Sequence, residues 1–323
     1  MSILFTLFLM LVSAADDRPS VIVVVGASGT PEYGERFHRW SDLWRVAASK
    51  GSAAFQVIGL EPEAGVTDHD RLRTAIAEHS SPRHEPLWLV LIGHGTFDAR
   101  EAKFNLRGPD LTDVELVEWL KPLKRPLAVL DCTSASSPFL NKLSGENRVV
   151  VTATRSGDEQ NFARFGQYLA ESIGDSAADR DKDGQVSLLE AYLTASARVA
   201  EYYKTKSQLA TEHPLIDDNG DRLGTPPDWF QGVRVTRRPK DGTTADGTRA
   251  HQFHLIPSDR ERGIPVEAKR RRDEIEQRLA ALRDQKSKLS LDDYYAKLES
   301  LMVELAMIYR DAGKTAPVPS SKP

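Results

Sequence analysis

The chain has 323 residues, of which 28% are charged and 40% apolar, and its formal net charge is −4. That balance fits one large globular domain with an appendage, or two domains, and gives no electrostatic ground for nucleic acid or an anionic membrane as a partner. A single cysteine excludes an internal disulfide.

In chain order, the first feature is the apolar run Ile3 to Val12, followed by Ser13-Ala14-Ala15. The run is too short to span a bilayer but suits a signal-peptide core, and the small residues suit a cleavage site. Residues 1–15 are therefore expected to be a signal peptide. The protein is expected to be exported, periplasmic or extracellular, with no membrane span left after cleavage.

From Val21 onward, short apolar runs alternate with amphipathic stretches. Strands are predicted at Val21–Val25, Phe55–Leu60, Leu87–Ile92, Leu127–Leu130 and Arg148–Thr152. Helices are predicted around Arg36–Lys50, Asp68–His79, Asp113–Leu120 and Phe139–Leu143, the third opened by a Thr112/Glu115 capping box. Continuous Val/Leu/Ile strands separated by helices indicate an α/β fold with a mainly parallel sheet covered on both faces. Gly26-Ala27-Ser28-Gly29 fails as a dinucleotide loop, because Glu32 stands where a third glycine is needed, and reads as a strand-to-loop turn.

Two of these strands end in reactive residues. Leu87–Ile92 runs into Gly93-His94-Gly95, and Leu127–Leu130 runs through Asp131 into Cys132. In an open parallel sheet, functional groups gather at the carboxyl ends of the strands. A thiol nucleophile needs a base, and the oxyanion needs backbone N–H donors, for which Gly95 and Cys132 itself are candidates. By residue type alone, a lone cysteine is more often a buried small hydrophobe.

An apolar strand ending in His-Gly, then a second ending in Cys132-Thr133-Ser134-Ala135-Ser136, resembles the caspase/legumain clan of cysteine peptidases. The strand Val149–Thr154, followed by Glu159 and Phe162-Ala163, is similar to the legumain-like side. The resemblance covers about Val21 to Gly232 and implies a caspase-like three-layer fold. It implies Cys132 as nucleophile, His94 as the acid that protonates the leaving amine, and Gly95 in the oxyanion hole. Arg36 matches the arginine that recognises the P1 side chain. Gln167 stands where an aspartate is usual, so no P1 preference is carried over. Asp131 replaces the usual Ala and Ala135 the usual Gly.

Residues 179–190 match the twelve-residue EF-hand loop. Asp179, Asp181 and Asp183 stand at positions 1, 3 and 5, Gly184 at 6, the Gln185 carbonyl at 7, Ser187 at 9 and Glu190 at 12. Helices are predicted on either side, at Phe165–Ile173 and Leu188–Lys204, and the expected cofactor is structural calcium. Asp217, Asn219 and Asp221 repeat the 1, 3, 5 spacing, but Arg222 replaces the glycine. An Asx-rich turn is the first reading there and a second calcium site the alternative.

The expected organisation places the caspase-like domain at residues 16–235 and a β hairpin or linker at 236–262, with strands Val233–Thr236 and Gln252–Ile256. A helical hairpin or coiled coil at 263–312 carries Ile275, Leu279, Leu282, Tyr294, Leu298, Leu301, Met302, Leu305 and Ile308, and a disordered tail covers 313–323. The expected function is a calcium-stabilised cysteine endopeptidase acting on peptide or protein substrates, and able to self-associate through its C-terminal helices. The alternative is a catalytically inactive interaction protein of the same fold, and Asp131 and Ala135 are its basis.

Overall fold

A computed structural model describes residues 18–237 and 244–315, with side chains to residue 311. The predicted signal peptide and the tail beyond Thr315 lie outside the described residues. Among those described, no helix is long and apolar enough to cross a membrane.

The chain builds β1 (Ser20–Val25), α1 (Pro31–Lys50), β2 (Ala54–Ile58), α2 (Asp68–Glu78) and β3 (Leu87–Ile92). Three short strands follow, β4 (Gly95–Phe97), β5 (Ala102–Phe104) and β6 (Leu111–Thr112), then α3 (Asp113–Leu120), β7 (Leu127–Asp131), α4 (Ser137–Leu143) and β8 (Arg148–Thr152). Next come α5 (Phe165–Ser172), α6 (Leu188–Thr205) and β9 (Leu215–Asp217). The six-stranded sheet has the order β2-β1-β3-β7-β8-β9, parallel throughout except for β9, which runs antiparallel to β8.

Every residue of β1, β3 and β7 is buried, because helices cover both faces and no side of these strands meets water. One core lies between the sheet and α1, α5 and α6, centred on Trp44, Trp88, Phe165 and Tyr192. The other lies between the sheet and α2, α3 and α4, with Leu72, Leu116 and Phe139. This is the expected three-layer α/β architecture. The Thr112/Glu115 capping box is present, with the Glu115 N–H donating to Thr112 Oγ1 at 3.1 Å and the Thr112 N–H to Glu115 Oε2 at 3.0 Å.

Beyond β9 the chain departs from expectation. A minimal hairpin joins β10 (Phe230–Gln231) to β11 (Arg234–Val235), and the expected strand Gln252–Ile256 does not form: α7 (Thr248–Gln252) ends on its first residue and only His254 makes an isolated bridge, to Ser187. Ala250, Phe253 and Leu255 belong to the α1/α5/α6-side core, so residues 248–255 are a core element and not a linker. They are drawn into the core because their apolar residues fill it beside Trp88, whose ring meets Phe253 edge-on at 5.9 Å. The short α8 (Asp259–Arg262) leads to α9 (Val266–Asp284) and α10 (Leu291–Thr315), which pair through Ile275, Leu279, Leu282, Tyr294, Leu301 and Ile308 as the periodicity predicts. Residues 313–315 continue α10 rather than open the tail.

Candidate functional site

Strands β3 and β7 are neighbours with Leu91 opposite Asp131, and the Cys132 N–H donates to Leu91 O at 3.0 Å. His94 lies three residues beyond Leu91, so the two residues sit at the carboxyl ends of adjacent strands. His94 stands among aromatic rings: Tyr33 at 4.9 Å, Phe37 at 5.4 Å and Phe162 at 6.1 Å between centroids. Its Nε2 is 3.3 Å from Ser28 O. Burial lowers the imidazole pKa, against an opposing pull from that carbonyl, and so favours the neutral ring.

Cys132 is 1% exposed and packs into the α1/α5/α6-side core. Gly166 of α5 lies directly over it: a Cβ at that position would stand 2.7 Å from Cys132 Cβ and 3.1 Å from the Trp40 ring. Burial first, then the Asp131 and Glu212 carboxylates, push the thiol pKa well above its ordinary value. Among the described residues no hydrogen bond joins Cys132 to His94. Both candidate oxyanion donors are engaged. The Cys132 N–H serves the sheet, and the Gly95 N–H donates to Ser134 Oγ at 3.2 Å, whose hydroxyl returns to Gly95 O at 3.1 Å. Gly95 is glycine because a Cβ there would lie 2.2 Å from Ser134 O.

The residues around the cysteine form a closed turn. Asp131, preceding Cys132 on the strand, alternates to the opposite face. It is fully buried, and its Oδ1 accepts from the Thr133 N–H at 3.1 Å and the Thr133 hydroxyl at 2.6 Å while Oδ2 has no partner. Burial pushes its pKa up to about 7, over the opposing Thr133 hydrogen bonds. Ala135 takes the left-handed φ of +54° that favours glycine, and its N–H donates to Glu159 O at 2.8 Å. Ser136 Oγ accepts from the Ala153 and Thr154 N–H groups at 3.1 and 3.2 Å.

Arg36 and Gln167 are brought together. They line a groove of about 360 Å³ between α1 and α5 with Trp40 and Leu43. Arg36 pairs with Glu32 at 2.6 Å, and its guanidinium carbon lies 5.8 Å from the Phe162 ring centre; Gln167 Nε2 donates to Glu171 Oε1 at 2.9 Å. The sequence reading missed Glu212 as a site residue. Glu212 is 1% exposed, accepts from the Arg164 and Phe165 N–H groups at 2.8 and 2.9 Å, and so caps α5 above the thiol. Neighbouring His213 is clamped by Glu159, with Nδ1 to Oε1 at 2.5 Å. The only signal for this pair was its acidic-basic order after Thr211.

In the acidic loop, ligand atoms of Asp179, Asp181 and Asp183 lie within 4.8 Å of one another. Gly184 supplies the turn at φ +93°, and buried Val186 anchors the loop. Glu190, 1% exposed, forms an unforeseen capping box with Ser187 and accepts from the Arg180 N–H at 2.6 Å. The loop's own donors are all oxygen and fit calcium, which Asp179, Asp181, Asp183, the Gln185 carbonyl and Glu190 would hold.

Residues 217–221 form the Asx turns of the first reading. Asp217, Asn219 and Asp221 side chains accept from the N–H groups of Gly220, Asp221 and Leu223. Asp218 accepts from the Gly247 and Ala250 N–H groups and so caps α7. Asp246, held by Thr225 and the Asp218 N–H, is pushed up to about 9 by burial and then by Asp218.

The geometry defines a three-layer α/β protein with a His/Cys pair at the carboxyl ends of two central strands. No family model matches the chain, and no curated protein matches it in sequence. In structure it is similar to the Drosophila initiator caspase Dronc, with 15% identity and a TM-score of 0.44, over 64% of this chain and 81% of that one. It is similar to caspase-1 from Spodoptera frugiperda, with 12% identity and a TM-score of 0.40, over 62% of this chain and 86% of that one. A weaker likeness to Chaetomium thermophilum Raptor has 8% identity and a TM-score of 0.33, and covers 48% of this chain but 18% of that one.

Proposed function

We propose that the chain is an interaction protein of caspase-like fold, stiffened by calcium at residues 179–190, in which Cys132 and His94 do not operate as a dyad. The sealing of Cys132 beneath Gly166 and Trp40 carries this reading. The raised thiol pKa and the engaged Gly95 and Cys132 N–H groups support it, since the thiolate is the nucleophile and an oxyanion needs free donors. The surface for a partner is α10. There Tyr295, Met302, Val303 and Met307 are exposed while the opposite face is spent inside the hairpin, and we assign this stripe to a second copy of the chain. Export through residues 1–15 belongs to the same proposal and would bring the loop into calcium-rich surroundings.

The second reading is a cysteine endopeptidase in which Cys132 attacks the scissile carbonyl and His94 protonates the leaving amine. It is favoured by the position of both residues at adjacent strand ends and by the groove that joins Arg36 to Gln167. A thiol-directed activity probe and a peptide library separate the two. The interaction reading expects Cys132 to react at least about ten-fold more slowly than free cysteine at neutral pH, as a buried, protonated thiol must, with no peptide cleaved. Rapid labelling that is lost in His94→Ala, with cleavage of any peptide, overturns it in favour of the peptidase.

A further inference from the structure

One nitrogen donor stands against the acidic loop from outside it. His251, on α7, holds Nε2 3.0 Å from Asp181 Oδ2, and ligand atoms of Asp181, Glu190 and His251 all lie within 4.8 Å of one another. His254 follows in the same segment with its ring centre 6.4 Å from that of His251. Its Nε2 is shut off from solvent and has no hydrogen-bond partner. Both imidazoles line a cavity of about 160 Å³ with Asp183, Gln185 and Glu261.

The segment is fastened over the loop. The Leu188 N–H donates to Phe253 O at 2.8 Å, Ser187 and His254 form an antiparallel bridge, and the Ser258 N–H donates to Gln185 Oε1 at 3.1 Å. The imidazole therefore faces the carboxylates as part of the fold. Oxygen donors alone suit the hard calcium ion, whereas imidazole nitrogen suits zinc and its neighbours among the transition metals.

We propose that His251 completes this site as a ligand from outside the loop, with His254 in the same cavity, and that this nitrogen donor lets the calcium loop take zinc in calcium's place. The proposal rests on reading residues 179–190 as a metal loop. Asp181 and Glu190 supply oxygens and His251 a ring nitrogen, and a carboxylate of Asp179 or Asp183, or a water, fills a fourth position of a tetrahedral site.

The test titrates Zn²⁺ and Ca²⁺ separately into the chelator-treated full chain by calorimetry, for the unmutated protein, His251→Gln and Asp181→Asn. Zinc is expected to bind in competition with calcium. His251→Gln should weaken zinc by about ten-fold or more, as loss of a well-oriented ligand does, and leave calcium within about two-fold. Asp181→Asn should weaken both. In the unmutated protein, zinc but not calcium should shift the His251 ring nitrogen resonance, a readout that needs no variant. If calcium binds and zinc binding ignores His251, the inference falls while the metal-loop reading stands. If neither ion binds, both fall.

Discussion

A methyl group added at Gly166 would meet Cys132 Cβ at 2.7 Å and the Trp40 ring at 3.1 Å, in a core with no slack. Gly166→Ala is therefore expected to destabilise the fold by about 1–3 kcal/mol, the usual cost of overpacking, read as a lower urea midpoint. An unchanged midpoint would mean that α5 does not rest on the thiol. The neighbourhood of His94 and Cys132 was legible in the sequence, since two apolar runs long enough for buried strands each ended in a reactive residue. The sealing of the thiol was not legible. It depends on Gly166 and Glu212, which reach Cys132 only through the packing of a later helix and leave no local pattern. Ala135 shows the limit from the other side: its substitution for the usual glycine was visible, but the turn accepts it at φ +54° without losing its hydrogen bonds.

At the scale of elements, the acidic loop and α10 carry the predictions. Chelation is expected to lower the melting temperature, and Asp183→Ala to abolish that response; a melting curve indifferent to chelation in the unmutated protein would remove calcium from the proposal. Glu190→Ala is the poorer variant. It also removes the carboxylate half of the Ser187 capping box, leaving the buried Ser187 N–H without its partner whether or not an ion is bound. For α10, the paired change Met302→Glu with Met307→Glu is expected to reduce the mass measured by light scattering from dimer to monomer. A monomer before and after would leave the stripe as ordinary exposed surface. The helices of the hairpin were legible because their apolar spacing is long and regular. Strands β4, β5, β6 and β9, each of two or three residues, were not, because so short a run has no period to read.

Across the whole molecule, two buried acids tie stability to pH. Asp246, pushed up to about 9, and Asp131, pushed up to about 7, hold protons in the folded state that the unfolded chain gives up near pH 4. Their contribution is full below that value and is lost as pH rises through the folded pKa values, at no more than about 1.4 kcal/mol per pH unit for each group. Stability is expected to decline from about pH 5 to 9, and Asp246→Asn to flatten that decline in denaturant titrations at stepped pH; equal slopes for both proteins would contradict the assignment. The parallel sheet and its helices were legible as a whole, whereas the role of residues 246–255 was not, because a short polar helix and three scattered apolar residues resemble a linker. That segment has a consequence for synthesis. Ala250, Phe253 and Leu255 complete the core around Trp44 and Trp88, and the Leu255 carbonyl lies so close to Gly51 that a Cβ there would stand 1.9 Å away. A nascent chain that has released every strand of the central sheet still lacks this wall of its core, so the domain is expected to close only after residue 255 has left the ribosome. A chain ended at Val235 should emerge aggregation-prone, while one ended at Gly263 should fold cooperatively.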